Sequence, residues 1–338
     1  MAGVRRRAAG ALAVAALACL AACGTSAPAT PRAVVSPPPA VAGGGPPVPA
    51  RGAYVGAYVQ PQGGQVGTLA AVAAYESSLG RQLDIVHTYH RWTVPFPDAA
   101  ERALAASGRY LLLSWASVPL VAITDGSQDA VIRARAQALA AWGVPVFLEW
   151  RWEMDRPNLA SVVGRPSAYV AAWDHIRAIF TQVGVHTVSW VWCPTATGFA
   201  DGRAAAYYPG DAQVDWVCAD AYTTSPQQQI GMGDQPLSAL VGPALAFAQA
   251  HHKPLMVGEF GTAYRGDDSQ AAWVTASFAW AATQPYVKAL VYFDETAPGP
   301  SGVSTPVSLR SSPVSMAALG AALATPHFNP RSHPTVGS

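Results

Sequence analysis

The feature that most constrains the fold is an alternation that begins near residue 53 and continues to about residue 322. Eight short apolar runs, typical of buried parallel strands, alternate with Ala-rich helical stretches. Eight such units are typical of an α/β protein of the (β/α)8 TIM-barrel type. A doubly wound sheet is the alternative, but no GxGxxG turn follows the first run. The predicted strands are residues 53–58, 83–87, 110–115, 146–150, 187–192, 215–218, 255–258 and 287–293.

Polar and aromatic residues gather at one end of the predicted strands. In barrels of this type the chemistry lies at the C-terminal strand ends. Histidine, tryptophan, tyrosine and carboxylate side chains follow most of the eight runs, as in VHTYHRW after the second. The connections at the other end, such as GRQ, SGR and WGVP, are ordinary turns. This asymmetry predicts a single functional mouth lined by aromatic rings and carboxylates.

Two glutamates stand out among these strand-end residues. Glu153 follows the fourth run in VFLEWRWEMDRP, and Glu259 follows the seventh in KPLMVGEFGTAY. A single glutamate at a strand end is more often solvated or ion-paired. Two of them within aromatic motifs suit glycoside hydrolysis, in which one carboxylate attacks the sugar and the other carboxyl protonates the leaving oxygen. The apolar rings of Trp152 and Trp192 favour the protonated form that the acid, Glu153, needs.

Four motifs, in chain order, make this sequence similar to glycoside hydrolase family 26. Two of them resemble the acid/base and nucleophile motifs of that family, and the other two resemble its fifth and sixth strands. The resemblance covers about residues 51–325. The motifs are WEMD at 152–155, VSWVWCPT at 188–195, YYPGDAQVDWVCADAY at 207–222 and PLMVGEFG at 254–261.

The resemblance implies a retaining endo-β-glycanase, related to β-mannanases, with named residues in its mechanism. Glu153 would be the acid/base and Glu259 the nucleophile, with Tyr222 orienting the nucleophile. Double displacement of this kind needs carboxyl groups about 5–5.5 Å apart. The residues expected to line the sugar subsites are His87, Trp92, Trp115, Trp152, Trp192 and Tyr264.

Three departures from the family pattern leave the sugar open. Trp152 stands where the family usually has histidine, and Glu149 stands where a basic residue is common. The loop after the eighth strand, DETAPGPSGVSTPV, lacks the tryptophan often found there. Strand alternation would place Glu149 and Arg151 on one face, so we expect Arg151 to pair with Glu149 as a structural ion pair.

The N-terminus resembles an export signal. A basic segment at Arg5–Arg7 precedes an apolar stretch that ends in LAAC at 20–23. The pattern predicts a lipoprotein signal peptide at 1–22 with a lipid on Cys23. An ordinary secretory signal is the alternative. Residues 23–50 are rich in Pro, Ala and Gly and predict a disordered tether. A catalytic domain at 51–325 and a tail at 326–338 would follow.

Composition excludes some partners and leaves the cysteines open. The chain is 51% hydrophobic and 12% charged with a net charge of +1, so nothing favours nucleic acid. Cys193 and Cys218 would remain after signal removal, either as a disulfide or as two buried thiols. No metal-binding cysteine or histidine cluster is present, so we expect no metal and no cofactor.

The sequence therefore predicts an exported glycoside hydrolase acting on β-linked polysaccharide. We expect a monomer, anchored by lipid alone to the outer face of the bacterial cell membrane, or otherwise secreted. A different class of protein remains open. It is a non-catalytic carbohydrate-binding lipoprotein built on a hydrolase barrel.

Overall fold

The protein forms a closed barrel of eight parallel strands, each paired with the next and the eighth with the first. The computed structural model describes residue 38 and residues 44–223, 235–295 and 307–334. This confirms the predicted (β/α)8 fold. The strands are β1 (Tyr54–Val59), β2 (Ile85–His90), β3 (Tyr110–Trp115), β4 (Val146–Trp150), β5 (Val188–Trp192), β6 (Trp216–Tyr222), β7 (Leu255–Gly261) and β8 (Val287–Asp294).

Helices surround the barrel in the connections between strands. Several begin or end on features that the sequence supplies. One helix starts with a reciprocal capping box between Asp98 and Glu101, and others end on Gly143 and Gly184 in the left-handed conformation. The α-helices are α1 (Gly67–Leu79), α2 (Ala99–Ala106), α3 (Leu120–Thr124), α4 (Asp129–Trp142), α5 (Ala160–Val163), α6 (Pro166–Val183), α7 (Ala196–Ala200), α8 (Leu237–Ala250), α9 (Ser269–Ala281) and α10 (Pro313–Leu323).

Strands β6 and β7 extend further than the sequence predicts. β6 runs to Tyr222 and β7 to Gly261, whereas the apolar runs predicted ends at residues 218 and 258. The extra residues include Asp220 and Glu259, which lie inside the hydrogen-bonded ladder opposite each other. Polarity alone therefore underestimated both strands, because charged side chains in a barrel interior do not interrupt the backbone pairing.

The core has two layers because strand residues alternate between the barrel interior and the helices. The interior layer includes Ile85, Leu112, Phe147, Trp216 and Met256. The larger outer layer packs the strands against the helices. Which layer a strand residue enters follows from its position along the strand, and this decides which polar residues can reach the mouth.

The N-terminal end of the barrel is covered by both chain ends of the described region. Residues 44–50 lie against β5, with the backbone N–H of Gly44 donating to the carbonyl of His186 at 2.6 Å. The hydroxyl of Ser189 donates to the carbonyl of Pro46 at 3.3 Å. These residues contact the barrel although the sequence places them in the tether. From the predicted tail, Phe328 is buried.

Several predictions concern residues outside the described ranges. The predicted signal segment, Cys23 and most of the predicted tether lie there, as does most of the loop after β8. Within the described residues, the helices are too short or too polar to cross a bilayer.

Candidate active site

Inward-facing side chains at the C-terminal strand ends build the candidate site. Register places Tyr89 of β2 opposite Ser114 of β3, and Ser114 opposite Glu149 of β4. Across the barrel, Asp220 of β6 is paired with Glu259 of β7. All five side chains therefore point into the same mouth, although all but Tyr89 are fully or nearly fully buried.

Glu153 is presented by a tight turn that follows β4. Arg151 and Glu153 both adopt positive φ, at 50° and 51°, a conformation that costs a non-glycine residue about 1–2 kcal/mol. The N–H of Glu153 donates to the carbonyl of Cys193 at 2.7 Å, which fixes the turn to the end of β5. The guanidinium of Arg156 pairs with Oε2 of Glu153 at 2.6 Å. This contact holds the Glu153 side chain in place beside Arg156.

Glu259 is held by two phenol groups. Tyr89 donates to its Oε1 at 2.6 Å and Tyr222 donates to its Oε2 at 2.7 Å. Burial raises the pKa of Glu259 to about 8, and repulsion from Glu153 acts in the same direction, while the two tyrosine hydrogen bonds lower it. Tyr222 thus occupies the orienting position that the resemblance implies, and Tyr89 provides a second donor.

The separation of the two glutamates limits the chemistry. One carboxylate oxygen of Glu153, one of Glu259 and one of Asp220 all lie within 4.8 Å of one another. Carboxyl pairs about 5–5.5 Å apart serve double displacement, whereas pairs about 6.5–9.5 Å apart leave room for an activated water. The approach of one oxygen of Glu153 to within 4.8 Å of one of Glu259 is compatible with the shorter class.

A second tier of carboxyl groups lies deeper in the barrel, beside a disulfide. Cys193 and Cys218 are bonded, with an S–S distance of 2.07 Å, so of the two alternatives left open by the sequence the structure has the disulfide. Oδ1 of Asp220 lies 3.1 Å from Sγ of Cys193, and Oε1 of Glu149 lies 3.9 Å from Sγ of Cys218. Burial raises the pKa of Asp220 and of Glu149 well above the ordinary carboxyl range, and the neighbouring Glu259 adds to both shifts.

Two groups of acidic and sulfur atoms in the described residues are close enough to surround a cation. One contains both sulfurs of the disulfide, which have no thiolate to offer. In the other, the oxygens of Glu259 accept from two tyrosines and Glu153 pairs with Arg156. The two glutamates of this group are therefore already bonded to protein side chains.

Three predicted sugar-binding tryptophans point away from the mouth. Trp115 and Trp192 are fully buried, and Trp92 stacks on Trp115 at 4.2 Å between ring centroids. Trp192 packs against Phe199, Tyr208 and Phe247 on the helix side. The prediction that these tryptophans line the cleft is therefore wrong. For Trp115 and Trp192 the reason is alternation, because their chain neighbours Ser114 and Cys193 take the inward positions, and Trp92 follows Trp115 by stacking on it.

The other three predicted binding residues differ in position. His87 faces the barrel interior, where it is buried and bonds to Ser114. Trp152 is half-buried and contacts the ring of Tyr89 at 5.2 Å. Tyr264 is half-buried in the loop after β7, and no hydrogen bond or ring contact within the described residues joins it to either glutamate.

Sequence reasoning missed a partly exposed aromatic group at the mouth. Tyr58, at the end of β1, stacks on Phe293 of β8 at 4.9 Å and contacts Tyr89 at 5.1 Å. These rings offer apolar faces of the kind on which sugars stack. Their position along the strand could have identified them, since Tyr58 and Phe293 each lie an even number of residues from an inward-facing residue of the same strand.

The predicted pairing of Arg151 with Glu149 is also wrong. β4 ends at Trp150, and Arg151 already has positive φ, so the alternation that would place both on one face has stopped. Among the ion pairs of the described ranges, none joins these two residues. Glu149 is instead hydrogen-bonded to the hydroxyl of Ser114.

A comparison with protein families matches the part of the chain that holds the candidate site. Residues 132–277 match a family model described as glycosyl hydrolase family 26. The segment that carries both carboxylates matches that family. It includes β4 to β7, and therefore Glu153, Tyr222 and Glu259.

Curated proteins similar to this chain have different specificities in their names. The chain is 28% identical over 291 residues to Endoglucanase H of Acetivibrio thermocellus, an alignment that covers 82% of this chain and 31% of that protein. It is 28% identical over 144 residues to Beta-1,3-xylanase TXYA of Vibrio sp, which covers 40% of this chain and 28% of that protein. The chain thus spans about a third of the length of these relatives.

Solved structures show the same barrel. A modular endo-beta-1,4-mannanase from Cellulomonas fimi superposes with a TM-score of 0.60 at 16% identity, covering 82% of this chain and 71% of that one. The catalytic domain of a Bacillus sp. JAMB-750 endo-beta-1,4-mannanase superposes with a TM-score of 0.59 at 14% identity, covering 83% and 88%. At such identity the likeness concerns the fold.

Proposed function

We propose that the protein is a retaining endo-β-glycanase of the family 26 type. The observation that carries this proposal is the carboxyl pair, with oxygens of Glu153 and Glu259 within 4.8 Å at the ends of β4 and β7. Glu259 attacks the anomeric carbon while Glu153 protonates the leaving oxygen. Glu153 then deprotonates the water that releases the sugar from Glu259.

The reaction requires Glu259 to be ionised when it attacks. Burial and Glu153 raise the pKa of Glu259 to about 8, while the hydrogen bonds from Tyr89 and Tyr222 act in the opposite direction. Positive charge developing on the sugar favours an ionised Glu259 in the same way as the two tyrosines.

We propose a β-linked polysaccharide as the substrate, and the proposal does not name its sugar. Mannan, β-glucan, β-1,3-xylan and an envelope glycan all fit what supports the proposal. The named relatives act on more than one of these classes, and Trp152 and Phe293 provide half-buried rings at the mouth.

Proton NMR of the first products tests the proposal. Purified residues 44–338 are incubated with each of the four glycans, beside the Glu153→Gln and Glu259→Ala variants. We expect β-anomeric reducing ends first, and a fall of at least about 1000-fold in each variant, because each lacks one of the two carboxyl groups. First-formed α anomers would exclude double displacement. Binding that persists in Glu259→Ala, with no turnover by either protein, would instead favour the carbohydrate-binding alternative.

We also propose that the protein is exported and lipid-anchored through Cys23. The support is the basic and apolar sequence before LAAC at 20–23. In a bacterial host, the full chain should sediment with membranes and the Cys23→Ala variant should not. Equal distribution of the two proteins would contradict the anchor.

A further inference from the structure

A row of polar side chains crosses the barrel interior from β4 to the nucleophile. Glu149 is hydrogen-bonded to the hydroxyl of Ser114. Oγ of Ser114 lies 2.6 Å from Nε2 of His87, and Nδ1 of His87 lies 3.3 Å from the hydroxyl of Tyr89. Tyr89 donates to Oε1 of Glu259 at 2.6 Å. Each member touches the next, so the row is a continuous chain of hydrogen bonds.

The protonation states of the two inner groups give the chain a direction. Burial lowers the pKa of His87 to about 3, so its ring is neutral and carries a single N–H. Burial also raises the pKa of Glu149 well above the ordinary carboxyl range. With Glu149 protonated and the histidine proton on Nδ1, each group donates to its neighbour in turn. The last donor is Tyr89, and the final acceptor is the carboxylate of Glu259.

The charges around Glu149 support its uncharged form. The ionisable side chains near it are His87 and Tyr89 of β2, Tyr169 of α6, Asp220 of β6, and the two reacting glutamates. The nearby carboxyl groups repel a negative charge there. Within the described ranges, Glu149 forms no ion pair with lysine or arginine. The resemblance to family 26 predicts a basic residue at this position, which makes the acidic residue a feature of this chain.

We propose that Glu149 is a positioning residue for the nucleophile: as an uncharged acid it starts the hydrogen-bond chain through Ser114, His87 and Tyr89 that stabilises ionised Glu259. The inference rests on the proposed function, because it assigns Glu259 the attacking role. The opposite arrangement has an ionised Glu149 that repels Glu259. The two arrangements predict opposite shifts of the Glu259 titration when residue 149 loses its carboxyl group.

A substrate-free titration distinguishes the two arrangements. The side-chain carboxyl carbons of glutamate are labelled with ¹³C in purified residues 44–338, and the Glu259 signal is identified by its absence from Glu259→Gln. Its titration midpoint is then compared in Glu149→Met, Glu149→Gln and Ser114→Ala. Glu101→Gln is the matched control, since Glu101 is equally buried but bonds to His90 and Thr88 outside the chain.

We expect the midpoint to rise by roughly half a unit to one unit of pH in Glu149→Met and in Ser114→Ala, because both break the chain. In Glu149→Gln the midpoint should stay close to its wild-type value, since an amide N–H can still donate to Ser114. Glu101→Gln should not move the midpoint. A fall in Glu149→Met and Glu149→Gln, or no change in Ser114→Ala, would overturn the proposal.

Kinetics connect the titration to turnover. The acid limb of kcat/KM should shift upward in Ser114→Ala and Glu149→Met by the same amount as the NMR midpoint. A limb that stays in place while the midpoint moves would also overturn the positioning role. A wild type that is inactive on every glycan would contradict the proposed function. Because the titration needs no glycan, NMR would still test the hydrogen-bond chain in that case.

Discussion

At Glu259, burial and hydrogen bonding act in opposite directions. Removal from water and the nearby Glu153 favour the protonated acid, whereas the hydroxyls of Tyr89 and Tyr222 favour the carboxylate. Burial prevails in the empty barrel, so this residue opposes folding once it ionises. Functional residues commonly carry such a cost to stability.

Replacement of Glu259 by glutamine should therefore stabilise the protein in a pH-dependent way. The folded-state pKa, about 8, exceeds the ordinary value of 4.5. Wild type then loses stability as pH rises through this window, while Glu259→Gln does not. Urea unfolding at pH 5 and pH 8.5 should show the difference between the two proteins growing by on the order of 1–3 kcal/mol.

Glu101 provides the control for this measurement. Burial tends to raise the pKa of Glu101, but hydrogen bonds from His90, Thr88 and the backbone of Asp98 outweigh it and the net shift is downward. Glu101 therefore stays ionised from pH 5 to pH 8.5, and Glu101→Gln should differ from wild type by a constant amount. A constant difference for Glu259→Gln as well would contradict the stated cause.

At the scale of elements, the turn after β4 decides where the acid/base lies. Its two positive-φ residues, Arg151 and Glu153, are held by contacts from the segment between β5 and α7. Asp155 accepts from the N–H of Thr195 at 2.9 Å and from its hydroxyl at 2.6 Å. A Cβ on Gly198 would lie 1.6 Å from Oδ2 of Asp155, so this clamp requires glycine there.

Gly198→Ala should displace the turn and lower activity. The new methyl group cannot fit beside Asp155, which is buried and fixed by two hydrogen bonds. We expect a loss of about 1–3 kcal/mol in the free energy of unfolding and a fall of at least about tenfold in kcat/KM. Thermal unfolding and steady-state kinetics measure the two effects.

Gly242→Ala is the matched control for this substitution. Gly242 lies in α8, and apart from its chain neighbours and the backbone of its own helix no atom lies within 4 Å of the position that a Cβ would occupy. Alanine there should leave activity unchanged and alter the free energy of unfolding by less than about 1 kcal/mol, because the gain in helix propensity is opposed by the contact of the new Cβ with the ring of Pro243, the next residue. Equal effects of the two substitutions would show that the clamp does not position Glu153.

At the scale of the whole molecule, the two ends of the barrel have separate roles. The C-terminal strand ends hold the carboxyl groups, and the opposite end is closed by residues 44–50 and by the segment after α10. Arg81 links that segment to the barrel through the carbonyl of Phe328 at 2.5 Å and the carboxylate of Asp84 at 2.8 Å. Closure excludes water from the interior layer beneath the site.

Removal of residues 44–50 should lower stability without changing the reaction. The hydroxyl of Tyr54 would lose its acceptor, the carbonyl of Pro47 at 3.0 Å, and Ser189 would lose that of Pro46. We expect residues 51–338 to unfold at least about 3 °C below residues 44–338, with the same kcat/KM. Equal melting temperatures would show that residues 44–50 add nothing to closure.

The sequence by itself determined the barrel, the carboxyl pair and the neighbouring positions of the two cysteines. Eight apolar runs in alternation leave few arrangements other than a closed parallel sheet, and parallel strands bring all their C-terminal ends to one mouth. Glu153 and Glu259 could be identified for that reason. Strand order also makes Cys193, the residue after β5, and Cys218 of β6 neighbours, which allows the disulfide.

Only the tertiary structure decided which side chains reach the mouth and in what protonation state. An error of one position turns a residue from the interior to the helix side, which is why Trp115 and Trp192 proved to be core residues while Tyr89 faces Glu259. Strands β6 and β7 continue past the ends that polarity predicts, because the inward-facing Asp220 and Glu259 do not interrupt the backbone pairing. The pKa of Glu259 depends on burial by the whole barrel, a quantity that no local pattern contains.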